Sequence, residues 1–169
     1  TSDFSKNEYL DAVESMRNFI KTGDIYIANM TRQIKIESDR KPYDIFCYLR
    51  KHNPSPFGVY FNDGDFQIVR ASPERFLEVR NGIVETRPIK GTRKRGSTTE
   101  EDILLKKELE NSKKDKSELL MIVDLERNDL NRVCKAGSVN VSELFNVEEY
   151  ATVFHLVSTV RGELKDDKT

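Results

Sequence analysis

Apolar residues recur at Tyr9, Leu10, Val13, Met16, Phe19 and Ile20, the spacing of a helix with one apolar face. "SKNE" (Ser5–Glu8) precedes them as a capping box, and Gly23 in "KTGD" stops the run. The β-branched and aromatic stretch "IYIANMTRQIKI" (25–36) predicts a strand. Pro42 opens a short helix to about Lys51, and "NPSP" punctuates after it. "FGVYF" and "FQIVR" predict two strands around "NDGD", and "FLEVR" and "IVETR" two more around "NG", the strongest short hairpin signal. A second capping box, "STTE" from Ser97 or "TTEE" from Thr98, opens a helix to about Glu110. "KSELLMIVDLERNDL" continues as another helix, "SVNVSEL" as a short strand, and "ATVFHLVSTVRGEL" alternates with period two. Hairpins with inserted helices, rather than regular β-α-β alternation, give an α+β class: a mostly antiparallel sheet with flanking helices. No repeat, low-complexity segment or internal domain boundary is marked.

Composition narrows the partners. The 169 residues suffice for one domain with a real core. With 28 Lys+Arg against 29 Asp+Glu, the net charge is -1, which argues against a protein dominated by nucleic-acid binding. No run approaches the roughly 18 apolar residues of a membrane span, and no secretory signal opens the chain. The two cysteines, Cys47 and Cys134, lie far apart with no CxxC, and there are only two histidines. A reducing compartment, no zinc site and a cytoplasmic location are the expectation.

"RPIKGTRKRG" (Arg87–Gly96) is the densest cluster of charge, five cations in ten residues. Lys90 is either one more cation of a solvated loop or an amine placed to react. On the residues alone, Glu74 in "SPERF" reads as a turn carboxylate pairing with Arg75 or Arg70. Asp115 and Glu118 share a helix face at i, i+3, where neighbouring lysines would pair with them. His155, in line with Val153 and Val157, is by position a core histidine. "DLERND" (Asp124–Asp129) reads as a helix end held by ion pairs.

Four long motifs occur together in one order: "ASPERFLEV" (Ala71–Val79), "RPIKGTRKRG", "SELLMIVDLERNDLNRVCKAGSV" (Ser117–Val139) and "YATVFHLVSTVRGEL" (Tyr150–Leu164). Together with "GDIYIANMTRQ", in which Ile27 replaces a usual glutamine, they resemble the chorismate-utilising enzymes. These include component I of anthranilate synthase and of aminodeoxychorismate synthase and, more distantly, isochorismate and salicylate synthases. Position 90 divides that family. Anthranilate synthases usually read "PIAGT" and aminodeoxychorismate synthases "PIKGT", so this chain most resembles the latter.

The resemblance implies replacement of the C4 hydroxyl of chorismate by ammonia, on the route to para-aminobenzoate and folate. It implies Lys90 as the nucleophile at C2, Glu74 as its acid/base partner and His155 as a general acid beside the leaving hydroxyl. Gly91 and Thr92 would contact the ring or a carboxylate. A hard cation suits expulsion of a hydroxyl from a dianion, and Mg²⁺ is the family's choice. Glu118 matches a Mg²⁺-associated glutamate, and Asp115 stands where anthranilate synthases tend to carry Glu. Pro56, Phe57 and Tyr60 match one wall of a tryptophan pocket whose other wall is missing, so no feedback control is expected. Neither cysteine has a glutaminase-like context, which implies a separate glutamine amidotransferase (glutaminase) subunit as the ammonia source. The family's N-terminal portion and C-terminal half find no counterpart here. The expectation is therefore a central fragment of the catalytic domain, inactive alone and prone to form a homodimer through uncovered strand edges.

Overall fold

The computed structural model describes residues 1–168, in two compact units, Thr1–Arg40 and Lys41–Thr169, with Thr169 itself outside the described residues. In the first unit the capping box at Ser5 forms. The Ser5 hydroxyl accepts from the Glu8 N–H at 3.3 Å, and the Glu8 carboxylate accepts from the Ser5 N–H at 2.8 Å. Helix α1 (Lys6–Thr22) follows and ends at Gly23. The strand expected over 25–36 does not form; one isolated bridge, Ser2 to Ile34, is all that pairs there. Tyr26 and Ile36 stand about 80% exposed. β-propensity describes the fit of a side chain to a pleated, half-buried surface, and among the described residues this segment meets only the isolated bridge to Ser2.

The second unit follows the predicted order closely. Pro42 at the first helical turn opens α2 (Pro42–His52). Strands β1 (Phe57–Asn62) and β2 (Gln67–Ser72) form one antiparallel hairpin. A second joins β3 (Arg75–Arg80) to β4 (Ile83–Arg87) through Asn81-Gly82, both at positive φ as a tight hairpin turn requires. Helix α3 (Thr99–Asn111) is capped by Thr98, and α4 (Lys113–Val133) by Ser112, three residues earlier than its apolar pattern suggests. Strands β6 (Asn140–Glu149) and β7 (Val153–Glu163) complete the sheet.

One element was not expected. The basic stretch is strand β5 (Ile89–Lys94), not a solvated loop. The five-stranded sheet runs β3-β4-β7-β5, with β6 on the other edge of β7. β4 pairs with Val160–Glu163 of β7 and β5 with Val153–Val157, so the two strands follow one another along a single edge. Pro88, which has no N–H for the ladder, stands between them.

β7 does not show the half-buried pattern its period-two sequence implies. Leu156 through Val160 are all buried, as suits a strand with neighbours on both edges and cover on both faces. Leu109 of α3 and Leu119, Val123 and Leu130 of α4 pack with Val84, Phe154, Leu156, Val160 and the buried Cys134. Leu119→Ala should therefore cost about 2–5 kcal/mol, whereas Ile36→Ala should stay within about 0.5 kcal/mol. Urea denaturation of the two variants tests this; equal losses would mean that 25–36 is packed after all.

Candidate active site

β5 carries the expected site residues against β7. Thr92 pairs with His155 and Ile89 with Val157, and the register shifts between them. Three steps on β5 thus oppose two on β7, a bulge that lifts Lys90 and Gly91 out of the ladder. Gly91 adopts φ 83°, and an added Cβ would lie 2.8 Å from the Asp115 Cβ. Only glycine suits both requirements. The close approach expected at Gly91 is therefore made to Asp115, within the fold.

The basic run is paired rather than solvated. Arg93 donates to Glu108 at 2.7 Å and to Asp115 at 3.0 Å, and both carboxylates hold its pKa up. Arg95 donates to Asp102 and packs over the Phe154 ring. Arg87 pairs with Glu148 and donates to the Thr159 hydroxyl at 3.3 Å. Lys94 lies 3.9 Å from Glu101.

Lys90 and Glu74 come together as expected. The Glu74 Oε1 accepts from the Ile89 N–H at 2.8 Å and lies 3.8 Å from the Lys90 Nζ, which itself donates to the Ile89 carbonyl at 2.8 Å. Glu74 does not pair with Arg75, which turns instead to Glu78 and the buried Glu85. Lys90 and Glu74 line a cavity of about 350 Å³ with Arg70, Ser72, Ile122 and Glu126. His155 lines a second cavity of about 230 Å³, with Ala71, Pro73 and Tyr150 among its walls. The Thr92 hydroxyl and His155 Nδ1 are 2.9 Å apart, and the Tyr150 ring meets the imidazole edge-on at 5.3 Å. Burial lowers the pKa of His155, with Glu148 and Glu74 pulling the other way. Glu74 therefore acts electrostatically on both sides of the site.

The carboxylate pair on α4 divides. The Asp115 N–H donates to the Ser112 hydroxyl at 3.3 Å and its carboxylate accepts from Arg93; the residue is almost wholly buried, and hydrogen bonding to Ser112 and Arg93 lowers its pKa. That environment gives Asp115 the role of a fixed counter-ion, not of an open ligand. Glu118 is exposed, 3.8 Å from Lys114. Among the described residues no three His, Cys, Asp or Glu side chains converge. Phe57 lies under the Arg75 guanidinium, and Tyr60 packs on Tyr43 and Phe46.

Several site residues escaped the sequence reading. Arg87, Glu148 and Tyr150 form a network behind His155, with the Tyr150 hydroxyl donating to Glu148 at 2.7 Å. Burial and Glu148 push the Tyr150 pKa up to about 12. Nothing in local spacing links Arg87 to Glu148. Glu126 was detectable: in "DLERND" it falls on the apolar stripe of α4. The motif also lies within α4 rather than at its end, with Arg127 on Asp124 at 3.2 Å as its one ion pair among the described residues.

The model of the family described as chorismate binding enzyme matches residues 1–169. Anthranilate synthase component 1 of Acetivibrio thermocellus is 44% identical over 169 residues, 100% of this chain and 34% of that protein. Aminodeoxychorismate synthase component 1 of Bacillus subtilis is also 44% identical, over 163 residues, 96% of this chain and 35% of that one. A crystal structure of anthranilate synthase component I from Streptococcus pneumoniae superposes with a TM-score of 0.89 at 34% identity, covering 100% of this chain and 37% of that one. The chain thus spans about a third of the length of the curated relatives it matches. Among the described residues no helix is long and apolar enough to cross a membrane.

Two substitutions test the packing under β5. Gly91→Ala should destabilise the fold by roughly 2–4 kcal/mol, from positive-φ strain together with the clash on Asp115. Asp115→Asn should be less stable than the parent at neutral pH. Because the folded pKa of Asp115 lies below its ordinary 3.8, its contribution is complete above that value and is lost as pH falls through the folded value. The two denaturation curves should converge on acidification; a constant gap down to low pH would contradict the ion-pair account.

Proposed function

The chain belongs to the family of chorismate binding enzymes, and from that premise we propose that it serves amination of chorismate at C4, giving 4-amino-4-deoxychorismate. The observation that carries this reading is the Lys90 amine, held 3.8 Å from Glu74 at the wall of a cavity by a bulge that frees it from the ladder. A lysine at this position is what the "PIKGT" pattern shares with the aminodeoxychorismate synthases. In the proposed reaction the neutral amine of Lys90 adds to C2 of the ring as the C4 hydroxyl departs. His155, whose imidazolium is a stronger acid for being buried, gives the proton with which that hydroxyl leaves as water. Ammonia then adds at C4, the bond from Lys90 to C2 breaks, and Glu74 passes to His155 the proton that the new amine sheds. The sum is chorismate and ammonia in, aminodeoxychorismate and water out. Thr92, hydrogen-bonded to His155, sets the plane of the imidazole.

Mg²⁺ belongs to the proposal as a cation that would draw charge from the departing hydroxyl when bound. Glu118 is the carboxylate of the expected pair that stands open to it. The relatives named "component 1" support a second component, which we take to be a glutaminase that supplies ammonia. Formation of anthranilate is the second reading, supported by the equal 44% identity to an anthranilate synthase component.

The intact protein, given chorismate, Mg²⁺ and an ammonium salt, should form aminodeoxychorismate, identified by mass and chromatography. Lys90→Ala should slow that formation more than roughly a hundredfold, with partial rescue at high ammonia. Anthranilate as the product, or an unchanged rate in the variant, would refute the reading. Glutamine in place of ammonium should support no turnover without the partner; turnover by this component alone would place a glutaminase within it.

A further inference from the structure

Helix α4 buries Leu119, Val123 and Leu130, and Glu126 falls on the same stripe, three residues after Val123 and four before Leu130. A carboxylate is costly there unless it is partnered or protonated. The Glu126 Oε2 is shut off from solvent and has no hydrogen-bond partner. Its side chain opens onto the cavity that Lys90 and Glu74 line. The charged groups that bear on it come from every element around the cavity. Asp129 lies on its own helix, Lys90 on β5 and Glu74 on the segment before β3; Arg70 and Arg75 also line the cavity.

We propose that Glu126 is a positioning residue for Lys90, a carboxylate that takes up the ammonium proton when Lys90 becomes the attacking amine and returns it when the amine leaves the ring. This rests on the reading of Lys90 as the nucleophile. The transfer runs across the cavity that both side chains line and balances between them: Lys90 ammonium and Glu126 carboxylate become Lys90 amine and Glu126 carboxylic acid. Burial first, then Glu74 and Asp129, raise the Glu126 pKa to about 7, against the pull of Thr86 and Lys90. Near neutrality Glu126 therefore exists in both forms, as a reversible proton acceptor must. Glu74, which is exposed and held by the Ile89 N–H, is left free to face the substrate.

Two measurements on the intact protein decide the matter. In ¹³C NMR of the glutamate carboxyl carbons, the Glu126 signal, assigned by its loss in Glu126→Gln, should titrate with a midpoint of about 7. Lys90→Met should move that midpoint higher, because it removes the cation that favours the carboxylate. A midpoint near the ordinary 4.5, or one indifferent to Lys90→Met, overturns the coupling whether or not the enzyme turns over. In turnover, kcat of the parent should fall below neutral pH as Glu126 takes up a proton. Glu126→Gln should lower kcat roughly a hundredfold with KM little changed and should abolish that acid limb, and Glu126→Asp should restore part of both. An inactive Lys90→Met beside a Glu126→Gln variant with the parental pH profile would sink this inference alone. A fully active Lys90→Met would instead sink the reading of Lys90 as nucleophile, and the inference with it.

Discussion

The geometry of the site depends on how strand β7 shares one of its edges. β4 and β5 occupy that edge in succession, and Pro88 separates them because it cannot donate to the ladder. The Ser158 N–H still finds the Pro88 carbonyl at 3.2 Å, so the junction is held from one side only. From that point β5 must restart its pairing, and it does so with a one-residue excess. The excess falls on Lys90 and Gly91. A regular ladder would have fixed Lys90 on one face of the sheet by simple alternation. The bulge instead leaves its amine beside Glu74 and at the wall of an open cavity.

The charges around β5 follow from the same arrangement. Each arginine of the basic run reaches a carboxylate from a different element: Arg87 to β6, Arg93 to α3 and α4, Arg95 to α3. Exposed pairs of this kind contribute little stability singly. Asp115 is the exception, enclosed beneath Gly91 and tied to both Arg93 and Ser112. The network therefore locates β5 against the helices more than it stabilises the domain. Lys90, whose nearest carboxylate oxygen is 3.8 Å away, faces the cavity that Glu74 also lines.

Much of this was legible in the sequence, and the losses have physical causes. Hairpins and helix starts are local, decided by Asn81-Gly82, by Ser5 with Glu8 and by Thr98, so they could be read directly. β5 could not, because its strand character comes from β7, some sixty residues later, and its basic composition mimics a loop. The segment 25–36 failed in the opposite sense: it has strand composition but, among the described residues, only an isolated bridge to Ser2. Lys90, Glu74, Thr92 and His155 were all named from motifs, and the fold sets Lys90 and Glu74 at one cavity and His155, bonded to Thr92, at another. Asp115 was named for its charge, but its charge is already answered by Arg93. Glu126 carried a visible signal, a carboxylate at an apolar position of a helix, which the surrounding run of alternating charges masked.

The packing of Cys134 has a practical side. This thiol is buried in the core at the end of α4, and its surroundings raise its pKa, while Cys47 on α2 lies at the surface. The thiolate is the reactive form, so an alkylating probe will mark Cys47 in the native protein and reach Cys134 only when the sheet opens. The chain thus holds a pair of reporters, one for surface attachment of a dye and one that times the opening of the core around β7.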